Sequence, residues 1–162
     1  MKASPALLMQ IGIDALNEEL TRRETREGLC MVGLLHGEQV IIDYGMESCG
    51  GMAYVRLVTA VTTATFPNAA TAGTCASDLA YSMEMGIHRP AVPFDGKNLP
   101  DADEQSAGTV LALDDMLAMH AALREVEARA ENFVLGAYTP AGPAGGVLGG
   151  TWSFTVGEEL DD

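Results

Sequence analysis

The chain has 162 residues, 48% of them hydrophobic, with 9 Lys+Arg against 23 Asp+Glu and a formal charge of −14. A chain of that length fits one domain that buries about two-thirds of its unfolded surface without metal or disulfide support, and its apolar content excludes wholesale disorder. No apolar run approaches the ~18 residues of a membrane span, and no lysine–arginine cluster exists to hold a phosphate backbone.

Ser4-Pro5 starts a helix, with serine as N-cap and proline in the first turn. The amphipathic pattern that follows is not a signal peptide. Leu8, Ile11, Ala15, Leu16 and Leu20 recur at helical spacing and predict a helix from about Pro5 to about Arg26, lying on a sheet. Gly28 ends it. Leu29–Leu35 reads as a short apolar strand, and Val40, Ile42 and Tyr44 as a second strand in a hairpin with it. Gly45–Gly51 is a loop. Met52–Thr63 is dense in β-branched and aromatic residues and predicts a long strand. The small-residue stretch from Phe66 to Gly73 is a loop, in which Phe66 either caps the edge of the core or anchors a neighbouring molecule.

Asp78–Pro90 carries the strongest periodicity. Leu79, Tyr81, Met83, Met85 and Ile87 share one parity, and Ala80, Ser82, Glu84, Gly86 and His88 the other. That is a half-buried antiparallel strand whose register is tightly specified. Val92–Gln105 is a polar connector, and its Asp101, Asp103 and Glu104 suit a helix N-terminus rather than a cation site. A second helix is predicted from about Asp103 to about Arg129. Its apolar stripe is Val110, Leu113, Met116, Leu117, His120, Ala121 and Leu123, with His120 partly buried and no second ligand at metal spacing. Phe133–Tyr138 is a strand, Thr139–Gly150 a mobile Gly/Pro-rich loop, and Thr151–Gly157 a last strand with Trp152, Phe154 and Val156 inward. The fold class is therefore α+β: an antiparallel or mixed sheet of up to six strands against two long helices on one face. Residues 1–157 form the single domain, with the loop at 139–150, and residues 158–162 an acidic tail.

Chemistry is sparse. There is no G-x-S-x-G, no H-E-x-x-H and no G-K-[ST]. Cys30, Cys49 and Cys75 include no C-x-x-C and read as reduced thiols, with a Cys49–Cys75 bridge as the alternative. Cys75 and His88 sit at opposite ends of a strand segment spanning roughly 40 Å, beyond reach of each other. No catalytic residue, cofactor or metal is expected, and the chain is not expected to be an enzyme.

Three stretches carry a resemblance: CGGMAYVRLV at Cys49–Val58, Cys75 with DLAYSMEMGIHRPA at Asp78–Ala91, and GPAGGVLGGTWSFTV at Gly142–Val156. With the element order, they make the chain resemble the tail terminator proteins of long-tailed bacteriophages, which cap the tail tube and join head to tail, notably those of actinobacterial phages. Relatives tend to carry a further cysteine where Val147 stands, which speaks against a shared disulfide or metal role here. The resemblance implies a structural virion protein assembled in the host cytoplasm. It implies a ring, hexameric in this family, that sits on the last ring of the major tail tube protein and stops its polymerisation. The ring presents a surface to the head-side connector or stopper and leaves a channel for genomic DNA, which a net-negative lumen repels rather than traps. Candidate subunit or tube contacts are Phe66, Val147, Leu148 and Trp152, although Trp152 reads more readily as core. The competing readings are another neck or tail component, such as a head-closure or tail-tube protein, and a small cytoplasmic ligand-binding or enzymatic α+β domain. The last would need a pocket of converging polar groups.

Overall fold

The computed structural model describes residues 3–37, 50–72, 76, 78–92, 97, 100–143 and 146–158. Its elements are α1 (Pro5–Arg22), β1 (Met31–His36), β2 (Met52–Thr63), β3 (Asp78–Pro90), α2 (Ala102–Arg129), β4 (Asn132–Ala141) and β5 (Val147–Glu158). The strands form one five-stranded mixed sheet in the order β1-β2-β3-β5-β4. β1 runs parallel to β2, and every other pairing is antiparallel. The α+β class with two helices is as expected. The expected strand at Val40–Tyr44 lies outside the described residues, as do Cys49, Cys75 and residues 159–162.

β2 and β3 occupy the predicted spans. Met83, Met85 and Ile87 point with Ala53, Val55, Phe154 and Val156 into one core, which Leu16, Leu20, Met119, Leu123 and Val126 close from the helix layer. Fully burying such a side chain is worth about 1.5–3 kcal/mol. Small residues let the layers approach. A Cβ on Gly12 of α1 would sit 3.2 Å from Val126 and 3.3 Å from Met85, and Ala118 and Ala122 are fully buried on α2. Among the described residues, no helix is long and apolar enough to cross a membrane.

Four expectations need correction. First, α1 stops at Arg22, not Arg26. Glu24 takes a left-handed φ of 59°, Thr25 N–H donates to the Leu20 carbonyl, and Glu24 N–H donates to the Thr21 carbonyl. This is a Schellman closure with glutamate where glycine is usual. Second, the stripe predicted on α2 is rotated. Val110, Leu113 and Leu117 are exposed, and the buried row is Asp115, Ala118, Met119, Ala122, Leu123 and Val126. A carboxylate inside the buried row displaces the apolar pattern. Third, the stretch 139–150 is not a loop throughout: β4 runs to Ala141 and β5 begins at Val147. Its glycines serve close packing. A Cβ at Gly150 would fall 2.5 Å from the Tyr138 hydroxyl and 2.6 Å from the Thr139 carbonyl oxygen. Fourth, Glu158, placed in the tail by sequence, pairs with Leu79 as the last residue of β5.

Candidate functional site

Two buried or half-buried arginines are held by carboxylate and carbonyl neighbours. Arg89, at the end of β3, forms a fork onto Asp115 of α2: Nε donates to Oδ2 at 2.7 Å and Nη2 to Oδ1 at 2.9 Å. The same guanidinium donates to the carbonyls of Thr25 at 2.6 Å and Glu27 at 3.4 Å. Its side chain is 9% exposed and that of Asp115 is 1% exposed. Burial pushes the Asp115 carboxyl up, and the Arg89 fork opposes that by favouring the charged form. One arginine thus ties β3, α2 and the chain after α1 together.

The sheet face away from the helices carries a second set. Arg56 and Glu84 are directly paired across β2 and β3, with Arg56 Nη2 2.6 Å from Glu84 Oε2. Arg56 also donates to the Gly37 carbonyl at 2.8 Å. Tyr54 Oη and His88 Nε2 share a hydrogen bond of 3.1 Å, and their rings stack 5.8 Å apart. Both residues are buried, and His88 Nδ1 has no hydrogen-bond partner among the described residues. Burial pushes the His88 imidazole below its ordinary value, against the opposing pull of Glu84. Gly86 makes room for this pair, since a Cβ there would meet the Tyr54 ring at 2.5 Å.

None of this is a nucleophile–base arrangement. Among the described residues, no group of three or more His, Cys, Asp and Glu is placed to hold a metal. Cys30 corrects the expectation of reduced thiols, because it is disulfide-bonded. Its Sγ lies 3.2 Å from the Gly51 carbonyl oxygen.

The four sequence-predicted contact residues do not form one patch. Phe66 is half-buried and packs at the far end of β5, where a Cβ on Gly157 would come 2.7 Å from its ring. Trp152 belongs to the packing. Its Nε1 donates to the Met116 carbonyl at 3.2 Å, and its ring lies 5.5 Å from Tyr138 and 5.6 Å from His120. Val147 and Leu148 pair with Pro90 and Arg89 at the other end of β5. Leu148 also lines an apolar groove of about 380 Å³ with Ala91, Val92, Gly108 and Pro143.

Sequence reasoning missed the flank of α2. Trp152 and His120 mark the side of this helix that faces β5, and the Arg23–Asp114 ion pair of 3.1 Å marks the side that faces α1. At 3.6 residues per turn, Leu113 and Leu117 stand on the face of α2 opposite its buried row. They are 51% and 48% exposed, and Val110, one turn earlier, is 64% exposed. Their helical spacing was legible in the sequence; that they face outward depends on where Asp115 points. No protein-family model matches the chain, and no characterised protein matches it in sequence.

Proposed function

We propose that the chain is a structural subunit that assembles with copies of itself, of the tail-terminator kind: a ring at the head-proximal end of a phage tail tube that stops tube growth and meets the head-side connector. The observation that carries this reading is the outward row of Val110, Leu113 and Leu117 on a chain whose charge is −14. Like-charged copies repel, so contact between them requires locally apolar surface. The rest is compatible with it. The element order and the sheet backed by two helices suit the terminator resemblance, and the buried ionisable side chains bind one another rather than a substrate cleft.

Negative-stain electron microscopy of the purified protein, alone and mixed with tail tubes, tests the proposal. Closed rings, or rings capping tubes of arrested length, support it. Long tubes from the protein alone would instead identify a tube subunit. Single particles that leave tail tubes bare would refute both.

A further inference from the structure

Cys30 is one end of a disulfide. The chain has three cysteines, so the other end is Cys49 or Cys75, and both lie outside the described residues. The described residues beside each of them decide which it is.

Cys30 stands at the start of the β1–β2 ladder. Its N–H donates to the Gly51 carbonyl at 3.0 Å, and Met31 then pairs with Met52. The chain on either side of Cys75 belongs to the opposite end of β2. Ala70 N–H donates to the Thr62 carbonyl at 2.8 Å, and Asp78, three residues after Cys75, pairs with Thr63. β2 has 12 residues, so its ends lie roughly 36 Å apart. Three residues of extended chain span at most about 11 Å, and disulfide partners need α carbons within about 7 Å of each other. Cys75 therefore cannot reach Cys30.

Cys49 can. One peptide bond joins it to Gly50, whose backbone lies against Gly28, two residues before Cys30. A Cβ on Gly50 would fall 2.1 Å from the Gly28 carbonyl oxygen and 2.9 Å from its α carbon. Gly51 continues the close approach. Its φ is 136°, and a Cβ there would fall 2.4 Å from the His88 carbonyl oxygen. The chain after α1, the start of β2 and the end of β3 thus meet at one junction, which Arg89 also ties through the Thr25 and Glu27 carbonyls. β1 leaves from this junction, and none of its six residues is buried. Little apolar packing resists its opening.

We infer that Cys30 is bridged to Cys49 and that the bridge is a redox-controlled clamp on β1, closed under oxidising conditions and open under reducing ones. Closure is thiol–disulfide exchange with a small-molecule disulfide such as oxidised glutathione. One cysteine thiolate attacks it, forms a mixed disulfide and expels a first small thiolate. The second cysteine thiolate attacks the protein sulfur of that mixed disulfide and expels the other. The two cysteines give up two electrons and two protons, and the small-molecule disulfide leaves as two thiols. Reduction reverses the same steps. The bridge restricts the opened chain rather than adding packing, so its loss shows as easier opening of β1.

The pairing is tested by mass spectrometry of protein oxidised with glutathione disulfide and blocked with N-ethylmaleimide without prior reduction. No Lys or Arg lies between residues 27 and 55, so trypsin leaves Cys30 and Cys49 in one peptide, whereas Cys75 falls in the peptide that begins at Leu57. The first peptide should be unblocked and two hydrogens lighter than its reduced form, and should stay linked after further cleavage behind Glu38 and Glu47. Cys75 should be blocked. Cys30 found as a thiol, or bridged to Cys75 or to another chain, would overturn the pairing. The clamp is tested by hydrogen exchange of wild type in oxidised and in reduced glutathione, with Cys49→Ser and Cys75→Ser alongside. Reduced wild type and Cys49→Ser should exchange over residues 29–36 on the order of tenfold or more faster than bridged wild type, with β3 and β5 unchanged. Cys75→Ser should keep the full redox response. If Cys49→Ser does not fold, reduced wild type carries the comparison by itself. Equal exchange over residues 29–36 in both redox states would overturn the clamp. So would a rise across β3 and β5 alike, which marks a bridge that holds the whole fold.

Discussion

Removing one half of the Arg89–Asp115 pair should be far worse than removing both. In Asp115→Ala, the guanidinium loses two charge-assisted hydrogen bonds of 2.7 and 2.9 Å and stays buried with only the Thr25 and Glu27 carbonyls for company. Breaking a buried ion pair from one side costs about 3–5 kcal/mol, a large part of the roughly 5–15 kcal/mol that holds a domain folded. With a urea m-value of about 2 kcal/mol/M, the unfolding midpoint should fall by about 2 M. In the double variant Arg89→Met with Asp115→Leu no charge is left behind. The Thr25 and Glu27 carbonyls lose their donor, at about 1 kcal/mol each, while apolar packing replaces the desolvated ions. The double variant should therefore lie within about 2 kcal/mol of wild type and above Asp115→Ala. Urea titrations followed by far-UV circular dichroism and by Trp152 fluorescence give both numbers. An Asp115→Ala cost under about 1 kcal/mol, or a double variant weaker than the single, would refute the view of Arg89 as the clamp between layers.

Two further outcomes follow from local geometry. The His88 imidazole titrates below its ordinary 6.5 in the folded state, so between the folded and unfolded values the unfolded chain binds more protons. Stability should thus fall as pH drops below about 6.5, and His88→Gln should flatten that dependence; an unchanged slope in the variant assigns the acid sensitivity elsewhere. At Glu24, with φ 59° and an exposed side chain, glycine relieves a left-handed backbone penalty of roughly 1 kcal/mol. Glu24→Gly should raise the thermal midpoint by a few degrees, and a lower midpoint would mean that the glutamate side chain holds the turn.

What was legible in the sequence follows from which forces act locally. β3 could be read to the residue because alternation over Leu79–Ile87 is a local pattern, with Pro90 as its stop. β2 was equally plain from its β-branched run. The end of α1 was missed because the left-handed position is filled by Glu24, whereas Gly28 offered a more familiar stop. The orientation of α2 was missed because a single long-range partner, Arg89, draws Asp115 inward, and a helical wheel assigns any carboxylate to water. The 139–150 stretch was misread because glycine was taken for flexibility. At Gly149 and Gly150 it instead allows β3 and β4 to approach, as collisions of a built Cβ with the Ile87 and Thr139 carbonyls show. The candidate contacts fared by the same rule. Trp152, read as a candidate contact or as core, packs at the helix–sheet joint, whereas Leu113 and Leu117 were placed in the apolar stripe of the second helix and face outward.

These points bear on one another through α2. A self-association surface that includes the outer face of α2 works only if helix and sheet keep a fixed offset. Apolar packing alone tolerates sliding, since leucine, alanine and methionine contacts are nearly non-directional. The Arg89–Asp115 fork is directional: two parallel hydrogen bonds fix where α2 lies along β3, and the Trp152 bond to the Met116 carbonyl fixes it against β5. A buried ion pair is often no more stable than an apolar pair of the same shape, so its role here is better sought in geometry than in stability. On the self-assembly reading, that geometry sets where Val110, Leu113 and Leu117 stand relative to the sheet. The double variant that restores folding is then the informative one, because it keeps the core while releasing the offset. If the fork acts as a gauge, that protein folds but assembles less well than wild type; if the fork is only a fastener, it assembles equally well.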